Sequence, residues 1–186
     1  MTQFSISKTP IRDLLVIKRM PISDHRGFLA RIFCVEQLKE FGWQKPIAQI
    51  NQTLTKKKGT VRGMHFQNMP QSEMKLVSCL RGEVWDVAVD LRANSPTFLM
   101  WYAEKLSADN CQALLIPEGF AHGFQALSDD CELLYVHSSL YVQNVEAGIQ
   151  PTDPRIGISW PLNISEVSVR DLAHPLLNEQ FLGIPT

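Results

Sequence analysis

The chain has little that would suit a membrane, a nucleic acid or a secreted fold. Its longest apolar runs, such as residues 87–89 and 114–116, are far shorter than the roughly 20 residues of a membrane-spanning helix. Its 18 basic and 19 acidic residues nearly balance, which leaves no basic field for nucleic-acid phosphates. Residues 1–10 are polar and lack the apolar core of a secretion signal. We therefore expect a cytoplasmic protein without a membrane or nucleic-acid partner.

Cysteine is also scarce, and no C-x-x-C pair occurs. The four cysteines, Cys34, Cys79, Cys111 and Cys131, stand far apart and form no disulfide or zinc framework. We expect ordinary reduced thiols. The 186 residues contain no repeat, linker or low-complexity tract. They suffice for one sizeable core, so a single domain over residues 1–186 is predicted.

Short apolar runs separated by turn residues dominate residues 60–140, and this spacing is typical of an all-β protein. The dipeptide Arg81-Gly82 predicts a tight hairpin between two such runs. Along residues 83–91, Asp86 and Asp90 share one face while the other face is apolar, as in a barrel wall that lines a polar cavity. One short helix is predicted at 35–41 and a turn at 171–176. The expected fold is a jelly-roll barrel with few short helices.

Two of the five histidines stand out from the other three. His65 lies in an apolar strand beside Arg62 and Gln67, and such polar groups are costly to bury unless they line a cavity. His122 ends a P-x-G-x-x-H pattern, which resembles the second motif of the cupin barrels. The other histidines, His25, His137 and His174, are each interpreted as surface or hydrogen-bonded structural residues.

Many cupins bind a metal through an H-x-H pair, a glutamate and the histidine of that second motif. Here Phe66 and Gln67 follow His65, so the H-x-H pair is missing and a typical iron or manganese shell cannot form. A metal-free barrel with no cofactor is expected. A metal-dependent oxygenase or isomerase and a non-catalytic sugar-binding cupin are the alternatives of other classes.

A series of motifs in matching order resembles the dTDP-4-dehydrorhamnose 3,5-epimerase family from about residue 9 to 176. They are DHRGF at 24–28, VRGMHFQ at 61–67, KLV at 75–77, RGEVWDVAVD at 81–90, NSPTF at 94–98, IPEGFAHGF at 116–124, DP at 153–154 and ISWPL at 158–162. The resemblance implies a cupin-like enzyme of deoxysugar and polysaccharide biosynthesis. Such an enzyme epimerises C3, C5 or both in a nucleoside-diphosphate 4-keto-6-deoxy sugar.

The resemblance also implies four catalytic residues. A C–H bond beside a ketone needs a base, a donor or cation near the ketone oxygen, and an acid on the opposite face. His65 matches the base, and an imidazole titrates near neutral pH. Asp171 matches the carboxylate that orients it, although by itself it is typical of a helix start. Lys75 matches the enolate-stabilising cation. Tyr135 matches the opposite acid, although a lone strand tyrosine is more often a core residue.

The remaining matches concern substrate binding. Arg26, Arg62 and Arg170 correspond to residues that meet the substrate and its diphosphate, which suits the donor fork of guanidinium. Further binding positions are Gln49, Asn51, His122 and Glu146, while Tyr141 matches an aromatic that stacks on the base. Arg62 and His65 would lie on opposite faces of a regular strand, so a bulge at Gly63 is predicted.

One departure from the family pattern concerns the nucleotide. Arg31 stands where the family has a glutamate, so a CDP- or GDP-linked sugar and a single inverted centre remain alternatives. Family members are homodimers whose N-terminal strands cross to the partner, and residues 4–16 have the alternating pattern for this. A homodimer that binds a nucleoside-diphosphate sugar is therefore expected.

Overall fold

The computed structural model describes residues 3–185. Within them the chain forms fourteen strands and two short helices. The strands are β1 (Phe4–Lys8), β2 (Leu15–Arg19), β3 (Ile22–Asp24), β4 (Gly27–Leu29), β5 (Gln49–Thr55), β6 (Thr60–Gln67), β7 (Lys75–Arg81), β8 (Glu83–Asp90), β9 (Trp101–Ser107), β10 (Gln112–Ile116), β11 (Phe120–Ala126), β12 (Cys131–His137), β13 (Glu146–Gly148) and β14 (Glu166–Val167). The helices are α1 (Val35–Lys39) and α2 (Val169–Leu172).

Two sheets enclose the interior of a jelly-roll barrel. The first has the order β1-β2-β10-β7-β12-β5, and the second has the order β13-β6-β11-β8-β9 with β14 paired to β6 in parallel. β3 and β4 form a separate hairpin. The predicted all-β architecture is confirmed. No helix among residues 3–185 has the length and apolar character needed to cross a membrane.

Alternating strand residues build one core inside the barrel and one outside each sheet. Val77 and Leu133 of the first sheet pack with Val84 and Phe124 of the second, which fills one end of the barrel. Their neighbours on the opposite pleat face of the first sheet pack outward against α1 and Trp43. Because side chains alternate along a strand, polar residues at the other end of the same inner faces must line a cavity.

The predicted hairpin at Arg81-Gly82 is wrong. β7 pairs with β10 and β12, whereas β8 pairs with β9 and β11, so this turn carries the chain from one sheet to the other. The turn chemistry is nevertheless present, since Gly82 has a φ of 73°. The sequence indicated that the chain turns here, but not which strands pair with β7 and β8.

A bulge in β6 is found where the sequence predicted it. The pairing with β11 runs His122 to His65 and Phe124 to Arg62, so β6 contains one extra residue in this interval. Gly63 has a φ of 127°, and a Cβ there would lie 2.6 Å from the Cα of Gly123. Glycine is therefore needed at this position both for its backbone conformation and for the close approach of β11.

The other predictions of local structure are largely confirmed. α1 begins at the predicted residue and ends at Lys39, and α2 begins at Val169, two residues before the predicted turn. On β8 the side chain of Asp86 is fully buried, among residues that face the barrel interior. Residues 4–8 pair with β2 of the same chain, which makes β1 an edge of the first sheet.

Candidate functional site

A cavity of about 240 Å³ lies between the two sheets at the polar end of the barrel. The predicted site residues that line it are Gln49, Asn51, Arg62, His65, Lys75, His122, Tyr135, Tyr141 and Glu146. They come from both walls: β5, β7 and β12 belong to the first sheet, while β6, β11 and β13 belong to the second. We refer to this cavity as the central pocket.

His65 and Asp171 form a close pair at one side of the central pocket. His65 Nε2 lies 2.7 Å from Asp171 Oδ1, and the Gly63 backbone N–H donates to Asp171 Oδ2 at 3.1 Å. Burial alone would raise the pKa of Asp171, but these hydrogen bonds outweigh it and hold the pKa below its ordinary value. An ionised carboxylate only accepts, so Nε2 carries a proton, and in the neutral form of the ring Nδ1 has a free lone pair.

α2 places Asp171 in this pair. Ser168 caps the helix by accepting a hydrogen bond from the Asp171 backbone N–H at 3.0 Å. Asp171 is therefore both a first-turn residue of a helix, as its local sequence indicates, and the partner of His65. The local sequence indicates the backbone position of Asp171 but not the direction in which its carboxylate points.

A second histidine–carboxylate pair occupies the floor of the pocket. His122 Nε2 lies 2.8 Å from Asp86 Oδ1, and both side chains are almost completely buried. The ring of Tyr135 stands edge-on to that of His122, with the centroids 5.8 Å apart. Burial, together with the negative charge of Asp86, raises the pKa of Tyr135. The phenol therefore stays protonated and can act as a donor.

Lys75 belongs to a cluster that contains two residues outside the predicted set. Its Nζ lies 3.2 Å from Glu73 Oε1, and Glu73 Oε2 lies 2.8 Å from His137 Nδ1. Both Glu73 and His137 line the central pocket. The interpretation of His137 as a structural histidine missed this location. The sequence did contain a signal for it. His137 follows Tyr135 by two residues on one strand, so both side chains lie on the same face of the sheet.

A second cavity of about 520 Å³ adjoins the first and shares Arg62 and His65 with it. Asp171 and Arg170 line this second cavity, as do Lys56 and Lys57. Arg170 also forms an ion pair with Glu146, which holds the pKa of that carboxyl below its usual range even though burial opposes the shift. The concentration of cations suits a phosphorylated ligand.

Two predicted nucleotide residues lie away from these cavities. Arg26 sits in the turn of the β3–β4 hairpin, where its Nη2 contacts Asp24 Oδ2 at 2.6 Å and its side chain is 78% exposed. It does not line the central pocket of its own chain. Arg31 is also exposed and outside that pocket. Arg26 therefore lies apart from the other predicted binding residues within a single chain, and its role in substrate binding stays a prediction.

One group of side chains in the described chain has metal-ligand geometry. The ligand atoms of His65, Asp171 and His174 lie within 4.8 Å of one another. The group differs from the metal shell of the cupins because it lacks an H-x-H pair. In addition, the short hydrogen bond between His65 and Asp171 already uses two of the three ligand atoms. This arrangement is better suited to orienting a base than to holding an ion.

A larger cavity of about 760 Å³ lies elsewhere, beside the β1–β2 loop and the end of α1. Its lining includes Ile11, Phe41 and Met74 together with Lys8 and Lys45, but no histidine. It therefore lacks a group suited to proton transfer near neutral pH. Size alone does not identify the site, since the smaller central pocket is lined by His65, His122 and His137.

The chain is similar to known proteins along nearly its whole length. A profile of the family described as dTDP-4-dehydrorhamnose 3,5-epimerase matches residues 8–179. The enzyme of that name from Salmonella typhimurium is 41% identical over 179 residues, which cover 95% of this chain and 97% of that one. A dTDP-4-dehydrorhamnose 3-epimerase from Streptomyces niveus is 38% identical, covering 84% of this chain and 76% of that one.

A solved structure shows the same fold with a ligand bound. The dTDP-6-deoxy-D-glucose-3,5-epimerase from Legionella pneumophila, in complex with dTDP-4-keto-L-rhamnose, superposes with a TM-score of 0.91 at 36% identity. The match covers 98% of this chain and 99% of that chain. The cupin-like fold and the isomerase class are thereby established, and the chain belongs to the dTDP-4-dehydrorhamnose 3,5-epimerase family.

Proposed function

We propose that this protein inverts C3 and C5 of a dTDP-linked 4-keto-6-deoxy sugar. The observation that carries the proposal is that His65, paired with Asp171, lines one pocket together with Lys75 and Tyr135. This set supplies the base, the cation and the acid that the reaction needs. The proposed chemistry uses side chains alone.

His65 is proposed to remove the proton beside the ketone, with Asp171 supporting the imidazolium that forms. The electron pair of the broken C–H bond moves into the enolate, whose oxygen Lys75 stabilises. Tyr135 then returns a proton to the carbon. Because His65 and Tyr135 line the pocket from opposite sheets, a sugar ring between them would meet the base on one face and the acid on the other. That arrangement favours inversion.

The remaining polar residues of the pocket are proposed to hold the substrate. Gln49, Asn51, His122 and Glu146 would contact the sugar and its hydroxyl groups. Arg62 and Arg170 would contact the diphosphate, since both line the cationic second cavity. Tyr141 is about half exposed, which leaves a ring face accessible for stacking on the base.

A homodimer is proposed for two reasons. The β3–β4 hairpin lies outside both sheets, and its Ile22, Phe28 and Leu29 are 59%, 68% and 74% exposed. Such apolar surface suits a second copy of the chain. Arg26 lies on this hairpin and outside its own pocket, so it can serve as a binding residue only in the site of the partner. Sedimentation of the purified protein tests the dimer.

Arg26 also offers a test of the shared site. Mixed dimers of Arg26→Ala and His65→Asn chains would contain one intact and one doubly defective site if the hairpin crosses, so each mixed dimer should recover up to about half of the activity of a wild-type dimer. Without crossing, each chain keeps its own defect and mixing restores nothing.

The whole chain is proposed to act as one epimerase domain in the cytoplasm, where its unpaired cysteines would stay reduced.

The proposed activity is tested by solvent deuterium uptake into dTDP-, CDP-, GDP- and UDP-linked 4-keto-6-deoxy sugars, followed at each carbon. Exchange at both C3 and C5 of the dTDP sugar is expected. Exchange at C3 alone would instead indicate a single-centre epimerase, as in the Streptomyces niveus relative. Binding without exchange would indicate a sugar-binding protein. Preference for CDP or GDP, reversed by Arg31→Glu, would give Arg31 a role in base selection.

A further inference from the structure

Three side chains form an ionic cluster in the central pocket. Glu73 lies 3.2 Å from Lys75 Nζ through one oxygen and 2.8 Å from His137 Nδ1 through the other. The three side chains are only 9%, 9% and 10% exposed. Removing one member would leave a poorly solvated charge without its partner, so the three depend on one another.

His137 links this cluster to β5, the strand that carries two of the proposed binding residues. In the first sheet it lies directly between Lys75 on β7 and Gln49 on β5. Its Nε2 is 3.4 Å from Asn51 Nδ2, and its ring stacks on Tyr135 at 16° with the centroids 5.9 Å apart. His137 therefore contacts both the proposed acid and a proposed binding residue, while Glu73 contacts the proposed enolate cation.

The ionisation of Glu73 determines the direction of the hydrogen bonds. Burial would raise its pKa, but the charge of Lys75 and the hydrogen bond from His137 outweigh burial and lower it. The resulting carboxylate accepts from His137 Nδ1, which leaves Nε2 as an acceptor for the Asn51 amide in the neutral ring. The series of hydrogen bonds thus runs from Asn51 through His137 to Glu73. Glu73 also accepts a hydrogen bond from Lys75.

We propose that Glu73 and His137 are positioning residues that hold Lys75 and Asn51 in place against the 4-keto sugar. This inference rests on the proposed function. The flexible stem of a lysine makes anchoring important, since an ammonium that moves away from the enolate oxygen stabilises it less. Glu73 anchors the cation from the side, and His137 fixes both Glu73 and the amide of Asn51.

Two matched variants of His137 separate its two contacts. The amide of asparagine corresponds to the Nδ1 position, so His137→Asn keeps a donor for Glu73 and loses the partner of Asn51. The amide of glutamine corresponds to the Nε2 position, so His137→Gln keeps a partner for Asn51 and loses the donor for Glu73. The first variant should mainly raise KM. The second should lower kcat by about 10- to 100-fold, as expected for a hydrogen bond to a buried charge, with KM within about 3-fold.

The control is Glu132→Gln, which removes an ion pair between the same two strands at their other end. Glu132 contacts Arg81 at 2.8 Å, and neither residue lines the central pocket. This variant should keep both kinetic constants. Melting curves establish that each protein is folded, and Glu73→Gln provides a second route to the same kcat loss if His137→Gln does not fold.

The outcomes distinguish this inference from the proposed function. A wild type that takes up no deuterium refutes the function, and the inference with it. If the wild type is active and Lys75→Met has lost kcat, but folded His137→Gln and Glu73→Gln keep wild-type kcat, the positioning role alone is refuted. A lowered Tm with unchanged kinetic constants would likewise show that the cluster only stabilises the barrel.

Discussion

Replacing Asp171 with asparagine should disable His65 while leaving the fold intact. The Asp171 side chain is 5% exposed and accepts hydrogen bonds from His65 Nε2 and the Gly63 N–H. In the variant the amide oxygen can still accept from Gly63, which leaves the NH2 group facing His65. His65 must then accept at Nε2 and carry its proton at Nδ1, so Nδ1 loses the lone pair with which the neutral wild-type ring can take up a proton.

The expected loss is set by the larger of two overlapping effects. A hydrogen bond to a charged partner is worth about 1.5–3 kcal/mol, or roughly 10- to 100-fold in rate. The reversed tautomer removes the base itself, and general bases of this kind contribute about 10²- to 10⁴-fold. We therefore expect kcat for Asp171→Asn to fall by about 10²- to 10⁴-fold. The double variant with His65→Asn should be little worse than the worse single variant, because the pair acts as one unit.

The assay is single-turnover deuterium uptake into the dTDP-linked 4-keto sugar, with melting curves to verify folding. Asp129→Asn is the matched control, because Asp129 accepts a hydrogen bond from the Lys58 backbone N–H at 2.8 Å but does not line the central pocket. It should keep wild-type exchange. Multiplicative losses in the double variant, or a fall of less than about 10-fold for Asp171→Asn, would refute the coupled pair.

Three further predictions follow from the same geometry. Tyr135→Phe should reduce inversion more than exchange at the first carbon, because the enolate can still form and His65 can return the proton; equal losses in product and deuterium assays would contradict the acid role. Gly148→Ala should lower Tm by about 3–10 °C, because its Cβ would clash with the imidazole ring of His174, and adding His174→Ala should recover most of the loss. Because the pKa of Asp171 is lowered in the fold, its stabilisation exists above the unfolded value of about 3.9 and is lost as pH falls further. The difference in urea midpoint between wild type and Asp171→Asn should therefore shrink below about pH 4, and a gap that widens there would contradict this.

The sequence alone was sufficient for the family, the all-β architecture and the bulge at Gly63. The family rests on a series of short motifs, and the architecture rests on short apolar runs with an alternating strand at 83–90. The bulge rests on two predicted site residues three positions apart in one strand. The same patterns could not assign partners to strands. The turn at Arg81-Gly82 has the chemistry of a hairpin, yet it joins two sheets because β7 and β8 each pair with other strands and not with one another.

The tertiary structure alone brought Glu73 and His137 together. They are 64 residues apart, and neither lies in a motif that points to function. Their contact depends on the register of β7 against β12, which sets Lys75 opposite His137. In the same way, only the position of the β3–β4 hairpin separates Arg26 from the pocket of its own chain. Sequence patterns report the face on which a side chain lies, whereas pairing between distant strands decides which charges meet.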